Sequence, residues 1–211
     1  MTLSLLECRS SRSWACLALV LVMSGCSLDL HRPAPVKNYF LLEPTPQPST
    51  EPAAYPFSLK VTNFEVAPPY QERALVYRLD EQRYDSDFYN QFFVTPRSMM
   101  MTQVPQWLGQ RQIFAAVLGP ASTLDTSYTL EGLVTQLYAD LRPGAQPAAV
   151  FTMQIFVTRA IDHTIVLDRT YSRTVYIPNQ SPASIVQGMN EGFQQCLADL
   201  ERDLRAINFK A

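Results

Sequence analysis

The side chain best placed for covalent chemistry is Cys26, which closes the stretch Met23-Ser24-Gly25-Cys26. A thiol is the softest nucleophile among the side chains and is readily alkylated to a thioether. What precedes it has three parts: Arg9 and Arg12, an apolar run over residues 14–23, and a small-residue end. Together they make a secretory signal peptide, with Glu7 as a blemish in its basic start. The apolar run falls well short of the ~20 residues that cross a bilayer. Residues 1–25 are therefore read as a cleaved leader, with Cys26 left at the new N-terminus. A plain secretory leader that happens to end in cysteine is the alternative.

Elsewhere the reactive residue types are sparse. Asp85-Ser86-Asp87 offers paired carboxylates, the raw material of a metal or acid–base site, but no ligand-rich repeat follows and the segment reads as a solvated turn. His31 falls in a polar stretch and His163 in an anticipated hairpin turn, poor places to hold a base against a nucleophile. The chain has no phosphate-cradling glycine loop, no His-Glu-x-x-His and no Gly-x-Ser-x-Gly, and its 7 glycines are spread out. The 4 cysteines are Cys8, Cys16, Cys26 and Cys196. Loss of the leader and acylation of Cys26 would leave Cys196 alone, with no internal disulfide to form. No catalytic residue, metal ligand or cofactor is expected beyond a covalent lipid on Cys26.

Met23-Ser24-Gly25-Cys26 resembles the lipobox of bacterial lipoproteins, with Met in place of the commoner Leu. The resemblance implies a diacylglycerol on Cys26 and an N-acyl chain after cleavage. Several acyl chains at ~0.8 kcal/mol per buried methylene hold firmly where a single chain holds marginally. Ser27 follows, where Asp would favour inner-membrane retention, so the implied destination is the outer membrane, facing the periplasm.

The elements that must position a folded domain can be read in order. Of 211 residues, 47% are hydrophobic, enough after the leader for one ordinary core. Removing Glu7, Arg9 and Arg12 leaves 15 basic and 18 acidic side chains, a balance that draws in neither nucleic acid nor an anionic surface. Residues 26–38 form an acylated cysteine and flexible tether. A second proline-rich run covers residues 44–56, so that 7 of 16 prolines lie between His31 and Pro56, and it reads as loop. Period-two alternation predicts strands at Phe57-x-Leu59-x-Val61, at residues 74–79, 113–118 and 128–138, and through Ala149, Phe151, Met153, Ile155 and Val157. A hairpin turn at Ile161-Asp162-His163 leads to a partner strand carrying Ile165, Leu167, Tyr171 and Val175. Thr95-Pro96 starts a helix with Met100, Val104, Trp107 and Leu108 on one stripe, which Pro105 is expected to kink or break. Ser181-Pro182 caps a longer helix with Ile185, Met189, Phe193, Cys196, Leu200, Leu204 and Ile207 inward. Cys196 on that stripe reads as a packing residue, with a reactive thiol as the alternative. The fold class is α+β, a single domain with a largely antiparallel or mixed sheet covered by helices.

Three features offer a contact surface as well as a structural use. Met99-Met100-Met101 suits either acyl chains or core filling. Tyr84, Phe88, Tyr89, Phe92, Phe93 and Trp107 concentrate aromatic rings that line a groove, an interface or the core. Residues 67–72, with Pro68, Pro69 and Tyr70, form either a rigid rim for a partner or a plain strand-ending turn.

The series Tyr39-Phe40-Leu41-Leu42, Leu59-x-Val61-x-x-Phe64-x-Val66-Ala67-Pro68-Pro69-Tyr70, Leu75-Val76-Tyr77-Arg78, Tyr89-x-x-Phe92, Pro96 and Trp107-Leu108 resembles the ABC-type transport auxiliary lipoproteins of the paraquat-inducible protein C type. The resemblance covers residues 39–208. It implies a non-enzymatic outer-membrane accessory to a lipid transporter built on mammalian-cell-entry (MCE) domains and driven by an inner-membrane ATPase. Implied partners are an MCE-domain periplasmic protein and the associated inner-membrane transporter, with a homo-oligomer matching a ring-shaped partner. Partner- or lipid-binding positions are expected among Pro68, Pro69, Tyr70, Tyr89, Phe92 and Trp107. A pilot-type lipoprotein that assembles another envelope complex is the alternative.

Overall fold

In the computed structural model the described residues are 36–50 and 52–210. The leader, Cys26 and residues 27–35 of the tether lie outside them. The elements run β1 (Asn38–Phe40), β2 (Tyr55–Val66), a 3-10 turn (Pro68–Tyr70), β3 (Ala74–Arg78), β4 (Tyr84–Phe92), α1 (Pro96–Gln110), β5 (Phe114–Leu118), β6 (Tyr128–Asp140), β7 (Ala148–Arg159), β8 (Ile165–Tyr176) and α2 (Pro182–Ala206).

The long apolar alternation of β6 makes it the spine of the sheet. One edge of β6 pairs antiparallel with β7 from Tyr128↔Arg159 to Asp140↔Ala148, and β7 pairs antiparallel with β8. The other edge is shared. Its first half takes β2 in parallel, from Leu59↔Tyr128 to Val66↔Val134, and its last residues take β3 in parallel at Tyr77↔Ala139 and Arg78↔Asp140. Between them Pro68 and Pro69 turn the chain, and the Ala67 N–H donates to the Val134 carbonyl at 2.8 Å. The sheet therefore forks, with β5 beyond β2 on one branch and β4 then β1 beyond β3 on the other. Antiparallel pairing holds where strands follow one another closely, in β3–β4, β6–β7 and β7–β8. The remaining pairs are parallel, so the sheet is mixed.

Both helices pack on the sheet and touch each other, α1 over β2 and β5, α2 over β7 and β8. Ser181 caps α2 by accepting from the Ser184 N–H at 3.3 Å, and Pro182 fills the first turn, where its missing N–H is not needed. The inward stripe from Ile185 to Leu204 is buried, with Phe193 lying 5.0 Å from Phe151 of β7. Such a buried ring stabilises by ~1.5–3 kcal/mol. Ile207 falls just past the helix, as its extended C-cap. Behind it Phe209 closes a cluster with Tyr55, Phe114 and Tyr128 at 4.7–5.1 Å.

One expectation is corrected: Pro105 does not break α1, which runs on to Gln110 and closes with the Arg111 N–H on the Trp107 carbonyl at 3.0 Å. Residues 41–50, with the start of the second proline-rich run, have the loop backbone expected but are packed in place. They lie as a strap on the helices: the Leu42 N–H donates to Met99 Sδ at 3.4 Å, the Thr45 N–H to Gln194 Oε1 at 3.4 Å, and the Ser49 N–H to the Gln110 carbonyl at 3.0 Å. Leu42, Pro44 and Pro46 point inward and are buried. A proline ring suits that place, being apolar and bringing no N–H that would need a partner. The end of α1 is further clamped to α2 by Arg111 Nε donating to Glu201 Oε2 at 2.7 Å.

Candidate functional site

Asp85-Ser86-Asp87 is not a turn between elements; it lies inside β4. Val76 of β3 faces Ser86 and Ala74 faces Gln91, so residues 87–90 stand opposite Leu75 alone. The surplus chain is thrown outward as a wide bulge. Asp87 builds it. Its Oδ1 accepts the N–H groups of Tyr89 (2.8 Å) and Asn90 (2.9 Å), while Oδ2 accepts the Tyr77 hydroxyl (2.7 Å) and Asn90 Nδ2 (2.7 Å). Burial by itself would raise the Asp87 pKa, but these donors outweigh it and hold the carboxyl below the ordinary carboxylate range. Burial and then the Asp87 hydrogen bond push the Tyr77 hydroxyl the other way, well above the usual phenol range.

At the tip of the bulge Phe88 and Tyr89 are 63% and 43% exposed and pack edge to face at 5.2 Å. Lys37 Nζ sits 3.8 Å from the centre of the Phe88 ring, a cation–π contact. Beside it β1 pairs in parallel with the end of β4, Asn38↔Asn90 to Phe40↔Phe92. Alternation turns Tyr39 and Leu41 outward and Leu42 inward. Tyr39 meets Phe93 edge to face at 6.0 Å, and Arg73 lies 6.0 Å over the Tyr39 ring. Val36, Tyr39, Leu41, Phe88, Tyr89, Phe93 and Val94 are all exposed large apolar residues. They lie on β1, on the end of β4 or within two residues of these strands, with Tyr39 against Phe93, Phe88 against Tyr89 and Lys37 against Phe88, at the N-terminal end of the described domain. Scattered surface apolar residues need no explanation, but a contiguous group marks a contact surface.

The expected binding positions divide. Tyr89 is in this surface, and Pro68 and Pro69 are exposed in the 3-10 turn. Phe92 is 1% exposed, Trp107 5% and Tyr70 8%, so these three are core residues. Tyr70 stacks on Tyr138 at 6.1 Å, Tyr84 meets the same ring edge-on at 5.7 Å, and burial raises the Tyr70 hydroxyl to about 12. Met99 and Met100 are buried and Met101 partly so, with Met99 holding the strap. Sequence reasoning passed over Val36, Tyr39, Leu41 and Val94 as surface. For Tyr39 and Leu41 the signal was present in the alternation of Tyr39-Phe40-Leu41-Leu42.

The outer face of the sheet also carries a groove of about 440 Å³ lined by Arg78, Gln136, Tyr138, Asp140, Arg142 and Tyr176. Its charges satisfy one another: Arg142 is bonded to Asp140 and Glu81, and Arg78 to Glu81. The Arg142 hydrogen bond holds the Asp140 carboxyl below its ordinary range. Among the described residues no group of three or more His, Cys, Asp or Glu side chains is placed to hold a metal ion. His163 sits at φ 55° in the β7–β8 turn.

The family model of the ABC-type transport auxiliary lipoprotein component matches residues 39–201. Among solved structures, a protein from Xanthomonas campestris aligns at 16% identity over 76% of this chain and 92% of its own, with TM-score 0.66. An uncharacterised protein aligns at 15% identity over 80% and 98% respectively, TM-score 0.61. A hypothetical protein from Chlamydia trachomatis aligns at 7% identity over 72% and 99%, TM-score 0.50. At these identities the likeness is one of fold. No curated protein matches the chain.

Proposed function

The chain belongs to the ABC-type transport auxiliary lipoprotein component family, and on that premise we propose that it is a non-catalytic accessory of a lipid transport system of the MCE type, anchored to the outer membrane by an acylated Cys26 and facing the periplasm. The observation that carries the reading is the match over residues 39–201, which takes in all of the sheet but Asn38 and most of α2. It makes the chain an auxiliary lipoprotein of an ABC-type transport system, hence a companion of a transporter. The lipobox and Ser27 support the anchor and its membrane, and the exposed β1–β4 edge supplies a surface for contact. The anchor acts by raising local concentration, so that a modest contact surface suffices.

The test is recovery of the full-length lipoprotein from mildly solubilised envelopes, with mass spectrometry of bound proteins and lipids. Recovery of an MCE-domain protein is expected. Reproducible recovery of a different envelope machine without it would replace this reading by the pilot-type role. Cys26→Ala should mislocalise the protein without unfolding it, and equal outer-membrane retention of that variant would refute the anchor.

A further inference from the structure

The β1–β4 edge has an unusual combination of shape, residue type and position. The bulge at residues 87–90 carries two exposed rings, Phe88 and Tyr89, on surplus chain outside the strand pairing. The flanking strand β1 has 3 residues, too few backbone groups to recruit another strand by sheet extension. The exposed rings are Tyr39, Phe88, Tyr89 and Phe93, and two cations lie directly on them: Lys37 on Phe88 and Arg73 on Tyr39. Tyrosine rings with basic neighbours belong at the headgroup level of a bilayer, where one part of the group is apolar and the other meets water and phosphate.

The chain itself says which bilayer is near. Nine residues, 27–35, separate Cys26 from Val36, the first described residue. Drawn out fully at ~3.3–3.6 Å per residue, the tether can hold the β1 edge no farther than about 36 Å from the acylated cysteine. The surface nearest to the tether is thus also the one whose chemistry suits a membrane.

We propose that the aromatic edge formed by Tyr39, Phe88, Tyr89 and Phe93 seats in the headgroup region of the bilayer to which the chain is tethered, with a phospholipid surface as its ligand. This rests on the anchored-lipoprotein reading above. Seated so, the domain has a fixed orientation on the membrane. The β7–β8 turn, which carries the 84% exposed Ile161, lies across β6 from this edge. It joins β7 and β8, three and four strand spacings from β4, about 14–19 Å at ~4.8 Å each, and it lies at the Tyr128 end of β6 whereas β3 pairs at the Asp140 end, so it is held clear of the lipid.

The experiment uses the full-length lipidated protein in vesicles of phosphatidylethanolamine and phosphatidylglycerol, with and without bromine on the acyl chains. Phe88→Trp and Ile161→Trp place reporters at the two positions, and Tyr89→Trp gives a second reporter at the edge should the first perturb folding. Trp107 is 5% exposed and common to all three. Loss of Phe88→Trp or Tyr89→Trp emission on brominated lipid, with Ile161→Trp emission retained, is the expected result. Unquenched edge reporters on vesicles that carry the protein would overturn the seating and leave the anchor standing. A blue shift of the edge reporters with protein density alone would assign the edge to a second copy and overturn it too. Failure of the lipidated protein to float with vesicles would overturn both the anchor and the seating.

Discussion

The Tyr77 hydroxyl donates to the Asp87 carboxylate at 2.7 Å across the β3–β4 hairpin, and that carboxylate also holds the backbone of the aromatic bulge. Both side chains are partly buried, and four donors converge on the two carboxylate oxygens. Asp87→Ala strands the donors and should destabilise by ~1–3 kcal/mol, whereas Tyr77→Phe removes one hydrogen bond and should cost ~0.5–1.5 kcal/mol. Urea unfolding of the two variants checks the order. An Asp87→Ala cost no larger than that of Tyr77→Phe would mean that the bulge is held by other contacts.

The same pair sets an acid limit. The Asp87 pKa is lower in the folded chain than its unfolded value, so its stabilisation is fully present above the unfolded value of ~3.9 and is lost as pH falls through the folded one. Asp140 and Asp162 shift in the same direction, so all three contribute to acid lability. The stability gap between wild type and Asp87→Asn isolates one of them. It should be constant near neutrality and shrink below about pH 4.

Cys196 should be inert while the chain is folded. It is fully buried in α2, and burial, opposed only by the charge of Arg173, raises its thiol to about 12. Iodoacetamide at pH 8 should leave it unmodified in native protein and alkylate it fully in denaturant, as read by mass. Modification at comparable rates in both states would contradict the packing of this helix.

A methyl group on Gly132 should be tolerated poorly. The Phe64 ring lies on Gly132, its partner in the β2–β6 pairing, and a Cβ there would overlap three ring atoms. Gly132→Ala should therefore cost ~1–3 kcal/mol from overpacking. Phe64→Leu in the same chain should return part of that loss, a coupling that a double-mutant cycle in denaturant measures directly.

The elements legible in the sequence were those with an unbroken period. The helix stripe Ile185, Met189, Phe193, Cys196, the β7 alternation from Ala149 to Val157 and the Ile161-Asp162-His163 turn could be read because each depends on neighbours within a few positions. The fork could not, since pairing β2 and β3 in parallel on one edge of β6 joins residues about sixty to seventy positions apart. Pro44 and Pro46 have a loop composition, and only the presence of two helices beneath them makes their rings core. In β4 the surplus residues 87–90 break the alternation, so the aromatic series gave no sign that Phe92 turns inward while Phe88 and Phe93 turn out; the inward turn of Trp107 was legible only in the helix stripe it shares with Met100, Val104 and Leu108. Phe209 was passed over because its partners Tyr55, Phe114 and Tyr128 come from three separate strands.

The strap of residues 41–50 gives the domain a mechanical fuse. A pull on the chain N-terminal to Val36 reaches first the three-residue strand β1 and its short pairing with β4. Beyond β1 it meets Leu42, Pro44 and Pro46, lodged against the helices and fastened to Met99, Gln194 and Gln110. Under the anchored reading proposed above, a load from the membrane meets β1 and then the strap before it reaches the spine formed by β6 and β7.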